Sequence, residues 1–250
     1  PKYNDEIGKL TKSFETMISE IEKRVNDIES FAADVAHELK NPLTSLRSAS
    51  ETFIQSKNKK DQKQMIEIMF KDIDRIDRLI TDISFSSRLD ADLVRTKFEN
   101  IDLFKLLENY ISIRATKLKY KINLDQKETG IQLIGNSNKL VQVFDNLIDN
   151  SLSIIGKNCK INIRVFSRGK KIFILFEDNG PGFPKNAINK IFDRFYTDRI
   201  NQKEFGKHSG LGLSISKQII SAHNGDIFAE NIINDDKKII GARVNIILNK

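Results

Sequence analysis

The stretch VAHELKNPLTSLRSA, Val35–Ala49, lies within a long amphipathic pattern. Its apolar residues recur every three or four positions, which is the spacing of one face of an α-helix. The same spacing extends from Ile7 to Phe53, so it predicts one long helix. Two successive steps of four, between Met17 and Val25, form a stutter of the kind that locally unwinds a coiled coil, and we interpret it as a junction between helical modules.

A second amphipathic run follows after a polar break at SKNKKD, Ser56–Asp61. Its apolar residues have helical spacing: Met65, Ile68, Met69, Ile73, Ile76, Leu79, Ile80 and Ile83. The two runs predict an all-α helical hairpin. Because two helices alone bury too small a core, the apolar seams also predict dimerisation into a four-helix bundle.

His37 is predicted to point away from the apolar seam. Successive helical residues are about 100° apart, so His37 lies about 200° from Val35 and Leu39, on a face that is otherwise polar. Such a residue is most often a surface histidine on a solvated face. An exposed imidazole beside Glu38 is also suited to act as a nucleophile, because the carboxylate can orient the other ring proton.

Two neighbours constrain the chemistry of His37. A zinc-protease helix needs a second histidine four residues later, and this chain has Asn41 there, so a zinc site of this kind is excluded. Pro42 removes a backbone donor and is expected to bend the helix one turn past the histidine. Such a bend would change the reach of His37.

Beyond Arg95 the pattern changes to short β-branched and aromatic runs that alternate with helical patterns. Helices are predicted over residues 101–118, 138–155 and 211–222, and strands over 121–125, 161–167, 171–178, 226–231 and 242–248. This order predicts an α+β two-layer sandwich with helices on one face of a mixed sheet. The boundary between the two regions is expected near residues 95–98.

Three features of the second region suit nucleotide binding, although each has a simpler interpretation. Asn146 and Asn150 lie four apart on the polar side of a helix, where asparagines are more often plain surface residues. Asp178 ends an apolar strand in EDNGPGF, where Asn-Gly normally forms a hairpin turn, yet its carboxylate can also accept a hydrogen bond from a purine amino group. The glycines of HSGLGLS, residues 208–214, precede a helix and let backbone N–H groups approach phosphates.

Missing motifs, charge and composition exclude several classes of protein. The P-loop motif and the dinucleotide fingerprint are both absent, so neither kind of nucleotide site is expected. The net charge of +7 comes from lysines scattered along the chain, which does not indicate nucleic-acid binding. A single cysteine, Cys159, excludes an intrachain disulfide and a multi-cysteine zinc site and fits a cytoplasmic protein. No run of 18 apolar residues is present, so no membrane span is expected within this sequence.

Taken in order and spacing, these motifs resemble those of the sensor histidine kinases of two-component systems. HELKNPLT (37–44) is similar to the phospho-acceptor box of a dimerisation and histidine-phosphotransfer domain. NLIDN (146–150), DNGPG (178–182), IFDRFY (191–196) and SGLGLS (209–214) are similar to the N, G1, F and G2 boxes of a GHKL-type ATP-binding domain, the Bergerat fold. DEIGKLTKSFETM (5–17) resembles the last helix of a HAMP signal-relay domain. The sequence of Val35–Ala49 also resembles that of an alphaproteobacterial subgroup of the family, the ChvG and ExoS sensors.

The resemblance implies a domain order, an activity and partners. The end of a HAMP-like helix and a linker would occupy residues 1–24, the phosphotransfer domain 25–95 and the ATP-binding domain 96–250. The implied activity is autophosphorylation from ATP with Mg²⁺, followed by phosphotransfer to an aspartate of a response regulator and dephosphorylation of that regulator. The implied assembly is a homodimer through the helical hairpin, in the cytoplasmic portion of a bacterial inner-membrane protein.

Roles in the first domain follow the same resemblance. His37 is implied as the phospho-acceptor and Glu38 as its base. Asn41 matches the residue that positions water when the kinase dephosphorylates its partner.

Roles in the ATP-binding domain also follow from the resemblance. Asn150 is the implied magnesium ligand, with Asn146 in support, and Asp178 is implied to read adenine. The other implied nucleotide-binding residues are Gly180, Gly182, Arg194, Ser209, Gly210, Leu211, Gly212 and Leu213. Of these, Gly180 and Gly182 leave room for the adenine ring, Arg194 faces the phosphates, and residues 197–209 form a mobile ATP lid.

Two departures from the family pattern affect these expectations. Many members have a lysine and an aromatic residue where this chain has Ser153 and Ile154, so these positions are expected to lack a phosphate contact and a stacking surface. Lys157, Lys203 or Lys207 could supply the phosphate contact instead. The residue directly before the G2 box is His208, at a position where members of the family commonly have glycine. An ATPase of the gyrase or chaperone type and a degenerate signalling scaffold are the alternatives, and the first needs a carboxylate where this chain has Asn146.

Overall fold

A computed structural model of the protein describes residues 6–95, 97–117, 121–126, 130–184, 187–196 and 210–250. The chain divides between Asp77 and Arg78 into two compact units. Its helices and strands, in chain order, are α1 (Glu6–Gln55), α2 (Lys59–Arg95), β1 (Glu99–Asp102), α3 (Leu103–Lys117), β2 (Lys121–Gln126), β3 (Gln132–Gly135), α4 (Ser137–Ile155), β4 (Lys160–Arg168), β5 (Lys171–Asp178), α5 (Gly212–Ala222), β6 (Asp226–Ile233) and β7 (Ile239–Asn249).

The first unit is a helical hairpin whose turn is shorter than predicted. Only Ser56–Asn58 interrupts the helices, whereas the sequence predicted a break over Ser56–Asp61. The prediction was wrong because the Asn58 side chain caps the next helix: its Oδ1 accepts a hydrogen bond from the backbone N–H of Lys60 at 3.0 Å. α1 continues through Pro42, which is buried within the helix.

An apolar stripe remains exposed along this unit. On α1 it comprises Ile7, Leu10, Phe14, Met17, Ile18, Ile21, Val25, Ile28, Leu43 and Ile54, and on α2 Ile66, Phe70 and Ile73. A stripe of this length exceeds what a monomeric soluble protein normally leaves in water. Among the described residues, every helix is too short or too polar to span a bilayer.

The second unit contains the predicted mixed sheet, with strand order β2-β4-β5-β7-β6. β2 and β4 are parallel, and the other pairs are antiparallel. Alternate residues of β4 and β5 are buried, so each strand presents one face to the core. Phe144 of α4 reaches this core, where its ring centroid lies 5.6 Å from that of Phe176 on β5.

A small antiparallel sheet of β1 and β3 was not predicted. The sequence placed Ile101 and Asp102 in a helix, but they belong to β1, and α3 begins at Leu103. The physical reason is again a cap, because Oδ1 of Asp102 accepts a hydrogen bond from the backbone N–H of Lys105 at 3.2 Å.

Candidate functional site

His37 lies on the exposed face of α1 with Glu38 beside it. Its side chain is 70% exposed, and its Nδ1 atom is 4.0 Å from Oε1 of Glu38. Because Nδ1 is the ring nitrogen near the carboxylate, Nε2 is the nitrogen available to attack an electrophile. Asn41, one turn further along, is also exposed.

Sequence reasoning missed Arg75, which holds the Glu38 carboxylate. Arg75 lies on α2, 37 residues further along the chain, and its Nη2 donates to Oε2 of Glu38 at 3.0 Å. Arg75 is buried, with 8% of the whole residue exposed. No pattern in the sequence singles out Arg75, because its contact with Glu38 depends on how the two helices meet.

The helix α4 presents both asparagines of the predicted magnesium site. Oδ1 of Asn136 caps the helix by accepting from the N–H of Lys139 at 3.0 Å. The buried residues of α4 are Leu140, Val143, Phe144, Leu147 and Ile148. Asn146 and Asn150 lie outside this set and are half-buried.

Asn146 joins α4 to α5. Its Nδ2 donates to the carbonyl oxygen of Gly212 at 2.9 Å and to Oγ of Ser216 at 3.2 Å. Gly212 is the first residue of α5, and Ser216 is fully buried. The predicted N box and G2 box are therefore in direct contact.

Asp178 is held at both carboxylate oxygens. Its Oδ1 accepts from the N–H of Gly180 at 2.9 Å and from the N–H of Ala242 at 3.3 Å. Its Oδ2 accepts from Oγ of Ser151 at 2.8 Å. Sequence reasoning missed Ser151, although its position directly after the predicted magnesium ligand was a usable signal.

A small cavity lies beside two of the predicted nucleotide residues, Asn150 and Asp178. Its lining includes Asn150, Ser151, Asp178 and Phe183. The backbone of Phe183 is fixed by Asn231, which accepts from its N–H at 2.6 Å and donates to its carbonyl oxygen at 2.7 Å. The predicted magnesium ligand and the predicted adenine-reading carboxylate thus line one cavity.

The glycines of the G1 box are required by their protein neighbours. A Cβ atom on Gly182, whose φ is +77°, would lie 2.4 Å from Cγ2 of Ile239. One on Gly180 would lie 2.9 Å from Oδ1 of Asp178 and 3.0 Å from Cγ1 of Ile155. Real Cβ atoms do not approach so closely, so larger residues cannot occupy these positions without displacing these neighbours.

The F box and the G2 box also meet. Gly210 has a φ of +73°, and a Cβ on it would lie 2.7 Å from the carbonyl carbon of Phe195. Phe195 itself has a φ of 57°, a conformation that is costly for an aromatic residue. Arg194 is half-buried beside it, Leu211 is buried and Leu213 is half-buried at the start of α5.

Several predicted features lie outside the described residues. They are Asp5, Ser209, Lys203, Lys207, His208 and the ATP lid over residues 197–209. The side chain of Lys157 is not described either.

Glu177 and Asp178 are adjacent carboxylates with different environments. Burial alone would raise the pKa of Glu177, but hydrogen bonds from Arg164, Asn162 and Arg243 outweigh it and hold that pKa below its ordinary value. Burial, followed by the Asp178 charge, raises the pKa of the Cys159 thiol to about 11. Glu177 is thus an ionised member of a sheet-surface network, and Cys159 is an unreactive thiol.

His223 connects the ends of two helices in the second unit. Its Nε2 accepts from the N–H of Asn136 at 3.0 Å, and its Nδ1 lies 2.7 Å from the carbonyl oxygen of Ile219. These contacts fit a neutral ring that donates from Nδ1. Burial lowers the pKa of His223 below its ordinary value, although the bond to Ile219 opposes this shift.

Comparisons with known proteins identify the family. Residues 27–92 match the His Kinase A (phospho-acceptor) domain. Residues 135–249 match the histidine kinase-, DNA gyrase B- and HSP90-like ATPases. The two matches cover most of the chain in the predicted order, and the chain belongs to the sensor histidine kinases.

Curated relatives place the chain beside particular sensors. It is 42% identical over 249 residues to the sensor protein ChvG of Rhizobium meliloti, covering 96% of this chain and 43% of that protein. It is 41% identical to ChvG of Agrobacterium fabrum, covering 98% of this chain and 43% of the relative, which confirms the predicted resemblance to the ChvG subgroup. It is 30% identical to the signal transduction histidine-protein kinase BaeS of Escherichia coli, covering 92% of this chain and 49% of the relative. The chain therefore spans less than half the length of these relatives.

Solved structures confirm the predicted fold class. The histidine kinase ThkA, in a complex with the response regulator TrrA, superposes with a TM-score of 0.68 at 22% identity, over 98% of this chain and 68% of ThkA. A nucleotide-free catalytic domain of ThkA superposes with a TM-score of 0.53 at 25% identity, over 62% of this chain and 99% of that domain. The helical region followed by an α+β sandwich is thus the architecture of this family.

Proposed function

We propose that this chain is the kinase core of a two-component sensor, which transfers the terminal phosphoryl group of ATP to His37 and then to an aspartate of a response regulator. The observation that carries the proposal is the exposed imidazole, which has a carboxylate 4.0 Å from Nδ1. An ordinary surface histidine needs no such neighbour. The match of residues 27–92 to the phospho-acceptor domain family supports the same assignment.

The proposed chemistry follows from the two ring nitrogens of His37. Nε2 attacks the terminal phosphorus, a bond from Nε2 to phosphorus forms, and the bond from phosphorus to the bridging oxygen breaks to release ADP. The Nδ1 proton passes to the Glu38 carboxylate, so the phosphorylated ring becomes neutral. A separation of 4.0 Å exceeds a hydrogen bond, and we expect it to shorten when the phosphoryl donor is in place.

The nucleotide is proposed to bind at the cavity between α4 and the end of β5. Asp178 would accept a hydrogen bond from the adenine amino group, with Gly180 and Gly182 beside the ring. Arg194 and the segment Ser209, Gly210, Leu211, Gly212 and Leu213 would face the phosphates, because the first N–H groups of α5 suit anions.

Magnesium is proposed to accompany ATP. Within the described part of the chain, no three His, Cys, Asp or Glu side chains are close enough together to hold a metal ion. Mg²⁺ that binds with a nucleotide needs few protein ligands, since the ion keeps several waters and binds nucleotide phosphates. The amide oxygen of Asn150 is the proposed ligand, with Asn146 in support, and the bound ion would neutralise charge on the phosphates.

The cognate response regulator is the proposed phosphoryl acceptor and also a proposed substrate for dephosphorylation. Asn41 is exposed one turn from His37, where its amide can orient a water molecule. The kinase in one structural relative is bound to a response regulator.

The active form is proposed to be a homodimer of the helical hairpin. The exposed apolar stripe of α1 and α2 supports this, because a second copy would cover it. The chain is further proposed to be the cytoplasmic portion of a bacterial inner-membrane protein. Its proposed domain boundaries follow residues 24 and 95, and a HAMP-like helix is proposed at residues 5–17.

Incubation with labelled ATP and Mg²⁺ tests the proposal. We expect acid-labile, base-stable label on the protein, lost in His37→Ala but retained when exposed Ser112 is replaced by Ala. Release of inorganic phosphate without protein label would instead support an ATPase. Absence of nucleotide binding would support a signalling scaffold.

A further inference from the structure

The Glu38 carboxylate lies between a buried cation and the exposed imidazole. Its Oε2 accepts from Nη2 of Arg75 at 3.0 Å, and its Oε1 is 4.0 Å from Nδ1 of His37. Side-chain exposure falls along this series, from 70% for His37 to 21% for Glu38 and 10% for Arg75. The Glu38 carboxylate thus joins a buried side chain to an exposed one.

We propose that Arg75 is a positioning residue for phosphorylation of His37 and acts through Glu38. This inference rests on the proposed function. A glutamate side chain has several rotatable bonds, and an unanchored one spends much of its time in other rotamers. The guanidinium of Arg75 is always charged and planar, so it holds one carboxylate oxygen and leaves the other facing the imidazole.

The burial of Arg75 separates this pair from ordinary surface ion pairs. Arg47 and Glu51 are also 3.0 Å apart on the same hairpin, but their side chains are 83% and 59% exposed. Such exposed pairs contribute little. A buried guanidinium, in contrast, requires a charge partner, and removal of one partner has a large effect on the other.

Arg75 touches none of the reacting atoms. Its contribution is to keep Oε1 of Glu38 where it can take the Nδ1 proton as the bond from Nε2 to phosphorus forms. Displacement of a catalytic group by about 1 Å can reduce a rate about 100-fold. Loss of Arg75 should therefore slow the chemical step and leave ATP binding unchanged.

The experiment compares Arg75→Ala, Arg75→Lys, Glu38→Gln and the Arg75→Ala, Glu38→Gln double variant. Initial rates of acid-labile labelling are measured over a range of ATP concentrations with Mg²⁺. We expect Arg75→Ala to lower kcat about 10- to 100-fold with the KM for ATP within about twofold of the original chain. Arg75→Lys should restore part of the rate, and the double variant should be no slower than Glu38→Gln.

Asp72 lies one turn before Arg75 on α2 and is an alternative acidic neighbour of Arg75. The double variant distinguishes a role of Arg75 through Glu38 from a role through Asp72. If Arg75 served Asp72 or the general stability of the hairpin, the losses from Arg75→Ala and Glu38→Gln would multiply. That result would overturn the proposal. So would an Arg75→Ala rate within about twofold of the original chain, or a raised KM with unchanged kcat.

Controls separate folding and activity from positioning. Arg47→Ala should label at the original rate, and circular dichroism with light scattering reports the fold and assembly of each variant. If Arg75→Ala fails to fold, Arg75→Lys is compared with Arg75→Gln, and equal rates for these two would contradict the proposal. If the original chain gives no acid-labile label, the proposed function itself is wrong, and not merely the role of Arg75.

Discussion

Replacement of Ser151 by alanine should weaken nucleotide binding through Asp178. The Ser151 hydroxyl donates to Oδ2 of Asp178 at 2.8 Å, while backbone N–H groups hold Oδ1. In Ser151→Ala the carboxylate keeps only the Oδ1 contacts. Its Oδ2 atom can then turn away from the position in which it meets the adenine amino group.

The size of the effect follows from the number of hydrogen bonds that remain. A hydrogen bond to a charged group contributes about 1.5–3 kcal/mol, but Asp178 is still anchored at Oδ1 in the variant. We therefore expect a loss of about 1 kcal/mol, which corresponds to about a fivefold higher Kd. Asp178→Ala removes the acceptor altogether and should cost about 2–3 kcal/mol, or about 30- to 150-fold in Kd.

Isothermal titration calorimetry with Mg-ADP measures both Kd values. Purine riboside diphosphate lacks the 6-amino group, so its Kd should be nearly the same for the original chain and for Ser151→Ala. Ser112→Ala removes an exposed hydroxyl on α3 and serves as the matched control. An equal loss of affinity for both diphosphates, or no loss for either, would refute this account of Ser151.

Three further perturbations test the fold and the assembly. Gly241→Ala places a Cβ 2.1 Å from the carbonyl oxygen of Asp178, so we expect a loss of about 2 kcal/mol in unfolding free energy and a melting temperature about 4–8 °C lower by calorimetry. Burial lowers the pKa of His223 below 6.5, so the unfolded chain binds its proton more readily. The contribution of neutral His223 to the free energy of unfolding is complete above pH 6.5 and declines as the pH falls towards the lowered pKa. Urea unfolding measured over this pH range should therefore show a smaller loss of unfolding free energy in His223→Gln than in the original chain. Phe70 is 64% exposed on α2, and Phe70→Glu should convert the dimer to monomer in light scattering, whereas a dimer of unchanged stability would argue against this interface.

The long periodic elements were predictable because their own residues determine them. α1 and α4 follow from apolar spacing, and the strands β4 and β5 follow from alternation. The short strands β1 and β3 have four residues each, too few for a period to emerge, and Asp102 was assigned to a helix that it caps. The same cause shifted the start of α2, which the Asn58 side chain determines.

Two of the predicted nucleotide residues, Asn150 and Asp178, line one cavity of the second unit, but the residues that support the predicted sites depend on tertiary contacts. His37 could be placed on an outer face from helical geometry alone, while Arg75 reaches Glu38 only across the hairpin. Asp178 could be singled out at a strand end, whereas Ser151 and Ala242 contact it from two other elements. Positions that act through a neighbour in space leave no periodic signal in the sequence.

The amide of Asn146 bears on how this family differs from hydrolases with the same fold. Its nitrogen donates to two acceptors at the start of α5, the carbonyl of Gly212 and the hydroxyl of Ser216. A carboxylate at this position has no proton to donate and would repel the Gly212 carbonyl. Asn146→Asp, the change that supplies a base for water attack, would therefore weaken the link that spaces α4 from α5. On the proposed function, the amide that withholds a base from a water molecule attacking ATP would be the same group that joins α4 to the start of α5.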